Sequence, residues 1–188
     1  MKKNQNLKNE GQSRRSFVQK TALVTGGLVS APINLSGMAN VFNEKKLKLA
    51  LVGCGGRGTG AAVQALNADE NVELVAMADA FSDRLEKSLK SIQKNFDGEK
   101  KINVKEKNRF TGFDAYIKAI DLADVVILTT PPGFRPYHFE YAIKNDKHVF
   151  MEKPLATDPA GVRKVLEMAR VAKEKKLNVV VGLQRHYQ

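Results

Sequence analysis

The sequence predicts an α/β chain built on a doubly wound, mostly parallel sheet, and three observations predict it. Short, largely apolar runs recur at 47–53, 71–79, 125–129, 147–151 and 178–183, the composition that strands buried on both faces need. Between them lie stretches with apolar residues three and four apart, as parallel strands joined by crossover helices require. The first run ends in glycines spaced G-x-G-x-x-G, at Gly53, Gly55 and Gly58.

The opening strand is LKLALVG (47–53), and TGAAVQALNAD (59–69) follows the glycines as a helix, with Ala61, Ala62, Ala65 and Leu66 toward the sheet. NVELVAMAD (71–79) is the second strand and ends in Asp79, 21 residues past Gly58. A turn without side chains at Gly53 and Gly55 lets the backbone approach a pyrophosphate at the positive end of the helix, while Gly58 permits close helix–sheet packing. An acid at the end of the second strand can accept hydrogen bonds from both ribose hydroxyls. The glycine spacing alone is weak evidence. Set between a strand and a helix, with Asp79 in place, it predicts a Rossmann-type dinucleotide site comprising Gly53, Gly55, Gly56, Arg57, Gly58 and Asp79. A carboxylate at 79 would repel the 2′-phosphate of NADP and so favours NAD. Arg84 lies close enough in sequence to leave NADP open. Arg57 stands either beside the pyrophosphate or in solvent. Cys54 is expected as a small packed residue of the turn.

Residues 82–96 carry Leu85, Leu89, Ile92 and Phe96 at helical spacing. The charged stretch 97–108 is expected as a surface excursion around a short edge strand, and 113–120 as a short helix. VVILT then runs into Thr130, Pro131 and Pro132. Ligands of open α/β sheets bind outside the carboxyl ends of the strands, which makes these three residues cofactor candidates. Pro136 suits the first turn of a helix over 136–146. His138, in that turn, has two readings, a cofactor contact or a capping and packing role.

KHVFM (147–151) is the next strand, and Glu152-Lys153-Pro154 begins where it stops. Asp158 caps a helix opened by Pro159, whose predicted buried stripe is Val162, Val165, Leu166, Ala169 and Ala172. Lys153 therefore falls on a loop where the nicotinamide end of a dinucleotide should arrive. There an ammonium can hold a substrate hydroxyl and stabilise charge as that hydroxyl becomes a carbonyl. Lys153 is the catalytic candidate, Glu152 is expected to orient or tune it, and the bond before Pro154 can be cis.

GCGGRG, Asp79, TTPPGFRPYH, KHVFMEKPLA and VVGLQRHYQ together resemble the Gfo/Idh/MocA oxidoreductase family over residues 46–188. The resemblance implies that Lys153 contacts substrate and serves hydride transfer. It also implies that Thr130, Pro131, His138 and Glu152 contact the dinucleotide and that Gln184 and Arg185 approach the nicotinamide side. Pro132 stands where many members have asparagine. By the same resemblance, the family's C-terminal substrate domain, used in many members for homo-oligomerisation, is expected to be absent from this chain. The implied function is hydride transfer between NAD(P) and a sugar, polyol or glycoside hydroxyl. Two alternatives stand beside it, an NAD-retaining glycosidase acting by oxidation, elimination, hydration and reduction, and a non-catalytic dinucleotide-binding fragment.

The chain carries a formal net charge of +11 over 188 residues. Residues 1–39 hold six basic side chains against one acidic, and the remaining charge is mixed in sign without aromatic interleaving. That pattern argues against nucleic acid as a partner. Arg14-Arg15 before Phe17, an apolar stretch interrupted by Pro32, and small residues ending at Ala39 predict a twin-arginine-type signal peptide over 1–39. An N-terminal amphipathic helix is the other reading of that segment. With a linker over 40–45 and the dinucleotide domain over 46–188, the expectation is export to the periplasm through the twin-arginine machinery. One cysteine excludes an internal disulfide, and no metal site is expected.

Overall fold

The computed structural model describes residues 46–96, 101–183 and 185; the expected leader (1–39), linker (40–45) and Gln184 lie outside the described residues. Among the described residues, six strands form one wholly parallel sheet: β1 (Leu47–Val52), β2 (Val72–Asp79), β3 (Arg109–Thr111), β4 (Val125–Leu128), β5 (His148–Met151) and β6 (Val179–Val181). Their order is β3-β2-β1-β4-β5-β6. The chain thus works outward from β1 in one direction, then crosses back to β4 and works outward in the other. This is the doubly wound Rossmann arrangement that the sequence predicts, with its switch point between β1 and β4.

Side chains alternate across the strands and so build two cores. Leu49, Leu51 and Ile127 meet α1 (Gly56–Ala68) and α2 (Ser82–Gln93) on one face. Ala50, Val52, Val126, Leu128 and Met151 meet α3 (Ala115–Asp121), α4 (Arg135–Lys144) and α5 (Pro159–Glu174) on the other. A bulge sets Leu74 opposite Leu49 but Ala76 opposite Ala50. The extra residue, Val75, shares the second core with Ala76, while Leu74 and Met77 both serve the first.

Three expectations need correction. In α5 the buried residues are Val165, Met168 and Ala172, whereas Val162 and Leu166 are 46% and 57% exposed and Ala169 is exposed. This helix covers the sheet's edge and buries a stripe narrower than the sequence spacing allows. The edge strand lies at 109–111, just past the polar excursion, and within that excursion Ile102 makes a lone bridge to Leu74. Helix α2 ends at Gln93, so Phe96 reaches the core from the turn beyond it.

Candidate functional site

Parallel register aligns the carboxyl ends of the strands. Val52 pairs with Ala78 and Leu128, Leu128 with Met151, and Met151 with Val181. One residue further along each chain stand Asp79, Gly53, Thr129, Glu152 and Gly182, a second row along the sheet's carboxyl edge. Backbone bonds carry the ladder into it: Gly53 N to Ala78 O at 2.8 Å, Thr129 N to Val52 O at 2.9 Å, Glu152 N to Leu128 O at 3.0 Å and Gly182 N to Met151 O at 2.9 Å. Short apolar strands therefore deliver chemically distinct residues to one line.

The glycine turn divides its tasks. Gly53 has φ +98°, a left-handed conformation, and a Cβ there would lie 2.6 Å from Thr130 N. A Cβ on Gly58 would lie 2.1 Å from Gly53 O and 2.5 Å from the Thr129 hydroxyl oxygen. Gly53 and Gly58 are thus fixed by backbone conformation and close packing. At Gly55 and Gly56 a Cβ meets nothing within 4 Å, so open space lies before the N-terminus of α1. The Thr129 hydroxyl, absent from the predicted site, donates to Gly53 O at 2.6 Å and ties the turn to β4.

Asp79 accepts from Cys54 N through Oδ2 at 2.6 Å and from Phe81 N through Oδ1 at 3.0 Å. A carboxylate has about four lone-pair positions, so both oxygens retain capacity for ribose hydroxyls. Cys54 is buried and its thiol is pushed well above the ordinary range, first by desolvation and then by Asp79. It packs in the turn, as expected, and is no nucleophile.

A cavity of about 490 Å³ opens here, bounded by Gly53, Gly55, Asp79, Thr130, Pro131 and His138 from the predicted set. Its walls also include Phe81, Phe113, Tyr116 and Phe134, which sequence reasoning passed over. Their signal is faint, because aromatics in three separate segments converge only in the fold. Arg84 joins the same wall, its guanidinium 5.5 Å from the centre of the Phe81 ring. His138 lies in α4, stacks on Tyr116 at 4.2 Å and shares a 3.0 Å hydrogen bond between Nδ1 and the Thr130 hydroxyl. Burial, and then the neighbouring Arg135 charge, lowers its pKa to about 4. Its imidazole is therefore neutral near pH 7. Packing and a place beside the cavity coexist in this residue.

Arg135 is the main structural residue that the sequence left unassigned. Only 3% exposed, it donates from Nη1 to Glu152 O at 2.6 Å and to Pro154 O, and from Nη2 to Thr130 O. One buried guanidinium thus joins the loops after β4 and β5, holding carbonyls on either side of Lys153. The Lys153-Pro154 bond is cis. Lys153 and Arg185 are exposed, and Pro132 is half-buried outside the cavity wall.

The carboxylate of Glu152 pairs with Arg57 of α1. Consecutive residues leaving a strand point to opposite faces, and Glu152 turns toward α1. There its Oε1 lies 2.7 Å from Arg57 Nη2. Arg57, expected either beside the pyrophosphate or in solvent, has a half-exposed side chain that reaches across to the end of β5.

A family model described as oxidoreductase family, NAD-binding Rossmann fold (GFO_IDH_MocA), matches residues 47–183. The chain belongs to the Gfo/Idh/MocA family. A dTDP-3,4-didehydro-2,6-dideoxy-alpha-D-glucose 3-reductase from Actinomadura kijaniata is 27% identical over 133 residues, 71% of this chain and 36% of that protein. The crystal structure of scyllo-inositol dehydrogenase from Lactobacillus casei, with NAD(H) and scyllo-inositol bound, superposes with a TM-score of 0.59 at 25% identity, over 77% of this chain and 38% of that one. A 3-ketoreductase from Actinomadura kijaniata, solved with NADP and TDP-benzene, gives a TM-score of 0.53 at 25% identity over 73% and 37%. The chain thus spans less than two-fifths of the length of these Gfo/Idh/MocA relatives.

The residues present fit the family's dinucleotide. Open space before Gly55 and Gly56 suits a pyrophosphate, Asp79 suits the ribose, and the cavity falls within the size range of ligand sites.

Proposed function

We propose that residues 46–188 form the dinucleotide-binding part of an oxidoreductase that moves hydride between a nicotinamide cofactor and a secondary hydroxyl of a sugar, polyol or glycoside. The observation that carries this reading is the aligned edge row, which sets Asp79 and the glycine turn beside the cavity and places Lys153 one residue beyond Glu152. The dinucleotide supplies the hydride acceptor or donor. Gly55, Gly56 and the helix N-terminus face its pyrophosphate, and Asp79 accepts from its ribose. Lys153 Nζ holds the substrate hydroxyl oxygen and stabilises the negative charge that develops there. Arg135 fixes the backbone on either side of that lysine. The relatives with bound inositol and with a 3-ketoreductase activity support a polyhydroxylated substrate.

Asp79 favours NAD, because a 2′-phosphate at its carboxylate is repelled. Residues 1–39 are proposed as a twin-arginine-type signal that directs export to the periplasm, on the strength of Arg14, Arg15 and the apolar stretch after them.

The test is to purify the chain, denature it, identify any released nucleotide by mass spectrometry, and titrate emptied protein with NADH and NADPH. Recovered NAD, or NADH binding stronger than NADPH binding, is expected. Asp79→Gly should narrow that preference by about tenfold, the effect of one charge contact near a half-buried group. Failure of both reduced dinucleotides to bind would overturn the reading.

A further inference from the structure

The Arg57–Glu152 ion pair has a position that its chemistry alone does not explain. Arg57 stands in the first turn of the helix after β1, Glu152 follows β5, and β4 lies between β1 and β5 in the sheet. Neighbouring strands are about 4.8 Å apart, so the pair arches about 10 Å over the end of β4. Thr129 and Thr130 leave the sheet beneath it. On the dinucleotide reading, the cofactor passes here from the pyrophosphate turn toward Lys153.

The two partners are unequal. Arg57 has a side chain 51% exposed, whereas that of Glu152 is 9% exposed. Despite the 2.7 Å approach, Glu152 Oε1 receives no well-directed hydrogen bond among the described residues. The contact is one of charge, and the half-exposed guanidinium, whose Nη1 also donates to Gln64 Oε1 at 3.4 Å, can leave the carboxylate by rotation of its side chain. Glu152 would not then be left without a compensating cation, because the Arg135 charge also interacts with it. Gly182 gives the carboxylate its room, since a Cβ there would sit 2.5 Å from Oε1.

Resting on the dinucleotide reading above, we propose that Glu152 holds Arg57 as a stand-in for the cofactor's phosphate, and that binding passes the guanidinium from carboxylate to pyrophosphate. The ion pair closes the crevice while it is empty and opens when the dinucleotide enters. Glu152 thereby restrains affinity: its carboxylate competes with the phosphates for one guanidinium. Arg57 is the binding residue and Glu152 the residue that positions it.

A double-mutant cycle on the full chain tests this, with NADH binding followed by calorimetry and folding checked by circular dichroism. Glu152→Gln keeps the side chain's shape and should tighten NADH binding by about fivefold, the scale of a partly exposed ion pair. Arg57→Ala should weaken binding by about tenfold through loss of the charged phosphate contact. In the Arg57→Ala background, Glu152→Gln should change nothing. If the gain persists there undiminished, Glu152 acts by plain repulsion of phosphate and the exchange is overturned. Equal or weaker binding by Glu152→Gln alone also overturns it. A wild-type chain that binds neither reduced dinucleotide removes the functional reading and this inference together, which distinguishes the two failures.

Discussion

Single residues in the glycine turn carry separable demands. Gly58→Ala forces a Cβ against the Gly53 carbonyl and the Thr129 hydroxyl, both within 2.5 Å. Overpacking against backbone cannot relax by a rotamer change, so a loss of about 3 kcal/mol in urea-unfolding stability is expected. Gly55→Ala meets nothing within 4 Å at φ −72°. Its stability should stay within about 0.5 kcal/mol of the parent, while NADH affinity falls by about tenfold because the new methyl group occupies the pyrophosphate's approach. Equal effects of the two substitutions on stability would contradict this division. His138 makes a pH prediction. Its pKa is lowered from 6.5 to about 4, so between those values the unfolded chain binds more protons than the folded one. Its contribution to stability is full above about pH 6.5 and is lost as pH falls through that window, by up to about 3 kcal/mol. Urea midpoints measured from pH 7 to pH 4 should fall less steeply in His138→Asn, which cannot ionise.

Elements were legible where periodicity and capping agreed. Asp158 was predicted to cap α5, and its Oδ1 accepts from Gly161 N at 2.9 Å. Asp158→Ala should therefore cost about 1 kcal/mol, seen as a Tm about 2–4 °C lower; an unchanged Tm would mean that Pro159 alone sets the helix start. The strands around Leu51, Val126 and Val149 were equally plain, because burial on both faces leaves a continuous apolar signature. The stripe of α5 was not. Val162, Leu166 and Ala169 share helical spacing with the buried Val165 and Ala172, yet only packing decides how wide a face is covered, and at this edge Met168 takes the buried position instead. Arg135 was missed for a related reason. A charged residue at a helix start usually points to water, and its three carbonyl partners, on Thr130, Glu152 and Pro154, come together only after β4 and β5 pair.

At the scale of the whole molecule, the proposed export signal and the sheet make different kinds of prediction. The proposed export signal depends on local sequence alone, so replacing Arg14 and Arg15 together with lysine should leave the protein in the cytoplasm on cell fractionation. Export undiminished by that change would argue against the twin-arginine route. The sequence by itself determined the fold class, the glycine turn, the acid at the end of β2 and the candidacy of Lys153. Each is written in residues close together, as an apolar run, a glycine spacing or a strand terminus. Only the tertiary structure decided that Glu152 meets Arg57, that Thr129 locks the turn, and that aromatics from three segments wall one cavity. Those contacts depend on strand order and on which face each side chain takes. Parallel register converts distant positions into neighbours, and no local pattern records which positions they will be.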